Sequence, residues 1–263
     1  SPESKVLVIA SDIAKYGVGT PGEPTQGAGS VAMLITQNPR IMAFNNDNVA
    51  QTRDIMDFWR PNYSTTPYVN GVYSTQQYLD SLTTTWDEYK KRYDWTMDDF
   101  AAICFHLPYP KLALKGLRKM MDKTLSQDKQ DSLQENFDKS ILYSQMIGNI
   151  YTGSLFLGLL SLLENADNLK AGDKIALYSY GSGAVSEFFS GELVEGYEAY
   201  LDKERLSKLK QRTALSVADY EKVFFEEVQL DESGSAQFAA YEHQDYALVE
   251  IVDHQRRYSK VEK

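Results

Sequence analysis

Apolar positions recur along the chain with two spacings, and the switches between them outline the elements. Lys5 to Ala10 and Ser30 to Ile35 are near-continuous apolar runs, the pattern of strands covered on both faces. The stretch between them carries Gly17, Gly19, Gly22, Gly27 and Gly29 and reads as a loop, and Ile41 to Phe44 predicts a third short strand pairing nearby. Residues 57–72 are rich in Pro, Asn, Ser and Thr, yet Phe58, Trp59, Tyr63 and Tyr68 are interleaved, which predicts an ordered but irregular excursion. Ser74 followed by Gln77 has the composition of a capping box, and Tyr78, Leu82, Trp86, Tyr89 and Tyr93 then recur at helical spacing. Ala101 to Leu107 predicts a strand that stops at Pro108, and Lys111 to Asp122 a helix. His106 therefore sits where a strand hands over to a helix, a position at which α/β folds build sites.

The second half repeats the alternation. Leu133, Phe137 and Ile141 predict a helix, and a further one begins near Tyr151 and is apolar on nearly all sides through Leu155 to Leu163. That run is too short to span a bilayer and predicts a helix buried between two layers. Ile175 to Tyr180 and Val185 to Phe189 read as a hairpin joined by Gly181-Ser182-Gly183, a turn composition that permits close backbone approach. Ser216 with Asp219 caps a helix carrying Val217, Tyr220 and Phe224, and Gln237 to Tyr241 and Tyr246 to Val252 close the chain as strands. The class is α/β.

Composition narrows the chemistry. With 263 residues and 43% hydrophobic content the chain can bury a sizeable core. The balance of 27 basic and 37 acidic residues gives a net charge of −10, which argues against nucleic-acid or anionic-membrane partners, so a phosphate-bearing ligand must meet a local basic patch. One cysteine, Cys104, excludes an intrachain disulfide framework and is compatible with a cytoplasmic location. The start, Ser1-Pro2-Glu3-Ser4-Lys5, has no secretory pattern and leads straight into a strand, as a cleaved fragment would.

Several residues could carry chemistry. His106 has the pKa class for proton transfer at neutral pH, although by itself its position favours a structural, semi-buried histidine. His243 and His254 lie in a polar turn and the tail of the last strand and read as surface residues. Cys104 would share a strand face with His106, but its setting in Ala-Ala-Ile-Cys-Phe predicts core packing rather than a nucleophile. Lys111, Lys115 and Lys119, with Arg118 beside them, form a basic stripe that fits either a phosphorylated carrier such as coenzyme A or an ordinary solvated helix face. The Gly181-Ser182-Gly183 turn could present backbone N–H groups to an oxyanion or be a plain hairpin turn. Asn149 could cap the buried helix or extend its amide to a thioester carbonyl. No Walker loop, dinucleotide fingerprint, HExxH or EF-hand pattern occurs.

In order along the chain stand Ser11-Asp12-Ile13-Ala14, Gly22-Glu23-Pro24-Thr25-Gln26-Gly27-Ala28-Gly29, Asp57-Phe58-Trp59-Arg60-Pro61, Phe105-His106-Leu107-Pro108, Gly148-Asn149-Ile150-Tyr151-Thr152 and Ser179-Tyr180-Gly181-Ser182-Gly183. Together they resemble the C-terminal two-thirds of the hydroxymethylglutaryl-CoA synthases of the bacterial branch. The resemblance implies a thiolase-like layered αβαβα fold, usually homodimeric. Residues 1–50 would be the remainder of the N-terminal half, 51–100 a family-specific insertion and helix, and 101–263 the C-terminal half with a helical excursion. It further implies condensation of acetyl-CoA with acetoacetyl-CoA through an acetyl-cysteine, feeding the mevalonate route, with no cofactor beyond the two substrates and no metal.

By position, the resemblance gives His106 the acetoacetyl carbonyl and the alkoxide, Asn149 the acyl group, and the Ser182 loop an oxyanion donor. Lys111 and Lys115 would contact coenzyme A, Thr25 and Ser74 would line its channel, and Asp12 and Asp57 would support the site. In this family the nucleophilic cysteine and general-base glutamate lie upstream of the strand with which this chain opens. The expectation is that this chain alone is inactive and poorly folded, its partner being the missing N-terminal segment of the same protein. Two other roles remain compatible with the sequence: a polyketide β-branching homologue fed by carrier proteins, and a noncatalytic acyl-CoA-binding subunit.

Overall fold

A computed structural model describes residues 3–122, 124–239 and 246–260. It divides into two compact units, residues 1–212 and 213–263.

In the first unit the strands are β1 (Val6–Ala14), β2 (Gly27–Ile35), β3 (Met42–Phe44), β4 (Val49–Thr52), β5 (Phe58–Trp59), β6 (Tyr68–Val69), β7 (Ala102–Phe105), β8 (Lys174–Gly181) and β9 (Val185–Leu193). The helices are α1 (Gly71–Tyr93), α2 (Pro110–Met120), α3 (Gln127–Ser140), α4 (Leu142–Ile147), α5 (Gly153–Asn165) and α6 (Arg205–Lys210). The central sheet has the order β3-β9-β8-β7, with β4 also on the outer edge of β9. β7 and β8 are parallel and the other pairs antiparallel.

Strict alternation along β7 and β8 shows why this sheet is covered on both faces. Ile103 and Phe105, with Ala176, Tyr178 and Tyr180, face a core filled by Leu82 and Trp86 of α1, Leu117 of α2 and Phe137 of α3. Ala102 and Cys104, with Ile175 and Leu177, face Leu155, Leu162 and Leu163 of α5. The opposite side of α5 presents Leu157 to Val31 of β2 and to Ile150 and Tyr143. α5 therefore lies between two β layers, as its all-round apolar sequence predicts.

The β1–β2 ribbon pairs in register from Val6 opposite Ile35 to Ala14 opposite Gly27. The pattern predicts strands covered on both faces, but among the described residues most of the ribbon is open: Leu7, Ile9 and Ile13 are 60%, 59% and 70% exposed. Four further expectations are corrected. β3 pairs not with a nearby strand but with β9, far along the chain. α1 starts earlier than the Ser74-Gln77 pattern suggests, because the Asn70 side chain accepts the Tyr73 N–H and caps the helix. α5 begins at Gly153 with Thr152 as N-cap, so Asn149 is not the cap of the buried helix. Gly27 and Gly29, read as loop, lie within β2.

The second unit holds α7 (Val217–Phe225), capped by Ser216 accepting the Asp219 N–H, and an antiparallel sheet of β10 (Ala236–Gln237), β11 (Tyr246–Val252) and β12 (Gln255–Lys260). β12 is unforeseen because its sequence is entirely solvated and shows no apolar alternation. His254 belongs to the tight β11–β12 turn, with φ +61, rather than to a terminal tail. Tyr241 and His243 lie outside the described residues.

Candidate active site

Asp57 is fully buried and organises one half of the site. Its Oδ2 accepts hydrogen bonds from Tyr180 Oη at 2.9 Å, Ser182 Oγ at 2.8 Å and Ser74 Oγ at 3.2 Å. Its Oδ1 accepts the Gly183 N–H at 3.2 Å. A carboxylate withdrawn from water needs such donors, and these come from the first turn of α1, the end of β8 and the turn into β9. Burial, and after it the Asp57 partner, pushes the Tyr180 phenol far up, so it stays a donor. The turn is held from its other side as well, since Ala184 exchanges backbone hydrogen bonds with Arg53 and Gly183 O accepts the Ile55 N–H.

Asn149 organises the other half. Its backbone N–H donates to Gln26 O at 3.3 Å, and Gln26 Oε1 accepts the Tyr16 and Gly17 N–H groups at 2.6 and 3.0 Å. This approach is so close that a Cβ on Gly148, which sits at φ +87, would fall 1.9 Å from Gln26 O. The Asn149 side chain is 7% exposed, and its Oδ1 accepts the Tyr151 N–H and Ser154 Oγ, both at 2.9 Å. Tyr16 Oη donates to Tyr151 Oη at 2.9 Å, and the Tyr16 ring packs edge-on against Phe58 at 5.7 Å. Because Phe58 follows Asp57 directly, this contact joins the two halves. Thr25 turns its hydroxyl to Gly22 O at 2.8 Å, closing its own turn. Asp12 is exposed and lines a shallow depression with Ile150, Thr152 and Phe156.

His106 is fixed through its backbone. Its N–H donates to Tyr178 O at 2.7 Å and its carbonyl accepts Tyr78 Oη at 3.0 Å. The Tyr78 ring lies 5.3 Å from that of Tyr180, which connects His106 to the Asp57 network. The residue is half-buried, and burial lowers its pKa from 6.5 to about 4. Cys104 is completely buried and its thiol is pushed up to about 12, which fits core packing. Lys111 and Lys115 lie on the exposed face of α2, while Lys119 pairs with Asp80 of α1 at 3.6 Å. The structure thus gathers Asp57, Ser74 and Ser182 directly, links Asn149 and His106 to them through tyrosines, and leaves the lysines on a solvated helix face.

Sequence reasoning missed Tyr16, Gln26, Tyr78 and Ser154. Tyr78 and Ser154 carry the pattern of plain helix residues. Tyr16 and Gln26 stand in a loop whose glycines draw attention away from them.

A mixed sheet sharing one buried helix with a second β layer, with polar groups collected at strand ends, defines a thiolase-like layered α/β protein. The family model described as "Hydroxymethylglutaryl-coenzyme A synthase C terminal" matches residues 48–139 and 117–260. The chain is 52% identical over 232 residues to hydroxymethylglutaryl-CoA synthase of Enterococcus faecalis, covering 88% of this chain and 60% of that protein. Its structure superimposes with a TM-score of 0.94 and 66% identity on an HMG-CoA synthase complexed with CoA, over 99% of this chain and 67% of that one. A curacin-pathway HMG synthase in complex with apo donor-ACP matches with a TM-score of 0.85 at 27% identity, over 98% of this chain and 67% of that one. The chain belongs to the hydroxymethylglutaryl-CoA synthase family.

Proposed function

We propose that the protein carrying this chain condenses acetyl-CoA with acetoacetyl-CoA and water to give hydroxymethylglutaryl-CoA and CoA, within the mevalonate route. The observation that carries this reading is the buried Asp57 network that pins the Ser182 turn, joined through the Phe58–Tyr16 contact and the Tyr16–Tyr151 hydrogen bond to the turn that holds the Asn149 amide. Enolate addition to a ketone creates an alkoxide, and thioester cleavage creates an oxyanion. Both steps are favoured by donors fixed before the charge develops.

In this reading His106, neutral at working pH, hydrogen-bonds the acetoacetyl carbonyl and helps to protonate the alkoxide. Asn149 binds the acyl group through its amide. The Gly183 and Ala184 N–H groups are already used by Asp57 and Arg53, so oxyanion donation from the turn falls to Ser182 N–H. Lys111 and Lys115 meet the phosphates of coenzyme A, Thr25 and Ser74 line its path, and Asp12 supports the site. The substrates supply all the chemistry, without a further cofactor. Cys104, buried and hard to ionise, does not serve as the nucleophile, so we place the acetyl-accepting cysteine and the general-base glutamate outside these residues, on a preceding segment. Residues 1–50 then complete the N-terminal half, 51–100 form the insertion and its helix, and 101–263 the C-terminal half. Homodimeric assembly in the cytoplasm accompanies this assignment. No helix among the described residues is long and apolar enough to cross a membrane.

The likeness to a synthase solved with a donor carrier protein supports a second reading, in which the acyl donor arrives on a carrier. Competition decides between them. The protein at its natural length, given equal acetyl-CoA and acetyl-loaded carrier protein with acetoacetyl-CoA, is expected to consume acetyl-CoA. Preferential use of the loaded carrier would establish the second reading.

A further inference from the structure

The mechanism needs Asn149 to donate, yet an asparagine side chain offers an acceptor on one side and a donor on the other, and rotation by half a turn exchanges them. The chain itself fixes the choice. The Tyr151 N–H, 2.9 Å from the Asn149 amide, can only donate, so the atom facing it is the oxygen. Ser154 adds a second restraint. Its Oγ accepts the Ile150 N–H at 2.9 Å, and because Asn149 Oδ1 can only accept, the Ser154 hydroxyl donates its hydrogen to it, also at 2.9 Å. Ser154 is 0% exposed, so no water replaces it. With Oδ1 held on this side by two donors, the NH2 group, which only donates, is turned the opposite way.

We infer that Ser154 is a positioning residue that locks the Asn149 amide with its NH2 group toward the acyl ligand. The assignment rests on the functional reading above, in which Asn149 binds the acyl carbonyl. Ser154 itself touches no substrate. Its place on the second residue of α5, directly after the Asn149 turn, lets the rigid buried helix set the orientation of a group on a loop. Oδ1 facing the ligand would repel a carbonyl oxygen instead of binding it.

The test is a double-mutant cycle in the protein at its natural length, using Ser154→Ala, Asn149→Ala and the double variant. kcat and KM for condensation of acetyl-CoA with acetoacetyl-CoA are measured beside the side-chain NH2 signals of selectively 15N-labelled asparagine. Ser154→Ala is expected to lower kcat by about tenfold, the scale of one lost hydrogen bond in the transition state, and to lower the thermal midpoint as well, because the buried Ile150 N–H loses its acceptor. In the Asn149→Ala background the same change is expected to cost no further activity, and Ser154→Thr, which keeps the hydroxyl, is expected to recover most of the rate. Equal losses from Ser154→Ala with and without Asn149 would overturn the inference, because a general packing role adds in both backgrounds. The NMR arm stands without activity. The two Asn149 NH2 protons are expected to be distinct and slow to exchange in wild type, and to average or exchange faster in Ser154→Ala. Signals that change in this way between wild type and Ser154→Ala, in a protein whose wild type does not condense the two thioesters, would refute the functional reading and leave the lock intact. Unchanged NH2 signals in Ser154→Ala would refute the lock.

Discussion

At the scale of single residues the site depends on two side chains whose burial dictates their chemistry. Asp57 satisfies four donors at once, and an amide in its place offers one acceptor oxygen and brings two unwanted hydrogens. Asp57→Asn is expected to lose about 1–3 kcal/mol of stability in urea titration, the cost of leaving buried donors unpaired, and to lower condensation at the same time because the Ser182 turn loosens. His106 makes a prediction of opposite character. Its folded pKa of about 4 lies below the 6.5 of an exposed imidazole, so between those values the unfolded chain binds a proton that the folded protein does not. Stability from this group is complete above about pH 6.5 and is lost as pH falls toward 4. The urea midpoint is therefore expected to drop from pH 7 to pH 5, and to drop less in His106→Gln; an identical drop in that variant would contradict the assignment. Much of this was legible in the sequence. His106, Asn149, Asp57 and Ser182 stand in short motifs at predicted element ends. The tyrosines that connect them were not, because Tyr78 and Tyr180 obey core periodicity and their hydroxyl partners lie far away along the chain.

At the scale of elements, hydrophobic period identified β3, β7, β8 and β9 of the central sheet and the longer helices, but not β4, α4 or α6, since β7, β8, α2 and α5 each bury a face that local sequence already displays. What local sequence does not display is pairing. β3 and β4 both join β9 across more than half the chain, and no pattern in three or four residues announces a partner at that distance. The start of α1 shows a related ambiguity: Asn70 and Ser74 both suit an N-cap, and only the fold assigns Asn70 to the helix and Ser74 to Asp57. Asn70→Ala is expected to destabilise the protein by about 1 kcal/mol with little effect on catalysis. Ser74→Ala is expected to reduce activity, through Asp57, more than its effect on stability would suggest. Thermal unfolding paired with kinetics separates the two.

At the scale of the whole molecule the open β1–β2 ribbon is the dominant feature of the first unit. Val6, Leu7, Ile9 and Ile13 are each more than half exposed, and among the described residues no further strand joins the ribbon beside them. A polypeptide limited to residues 1–263 is expected to bind an apolar dye, to self-associate on sizing, and to show no condensation activity. A monodisperse, dye-free and active 1–263 polypeptide would refute that expectation. The layered class and the buried central helix were readable from sequence, because α5 is apolar on all sides. The identity of what covers the ribbon is not, since apolar strands state only that they need a neighbour.

In the proposed mechanism His106, Asn149 and the Ser182 turn surround the reacting carbonyls while α2 holds the phosphates. A crystal structure of the natural-length protein soaked with acetoacetyl-CoA is the decisive measurement. A ligand carbonyl oxygen is expected within hydrogen-bonding distance, about 2.7–3.2 Å, of Asn149 Nδ2 or the His106 ring, with coenzyme A phosphates beside Lys111 and Lys115. A ligand seated with its carbonyls away from both residues, or with its phosphates off α2, would contradict it.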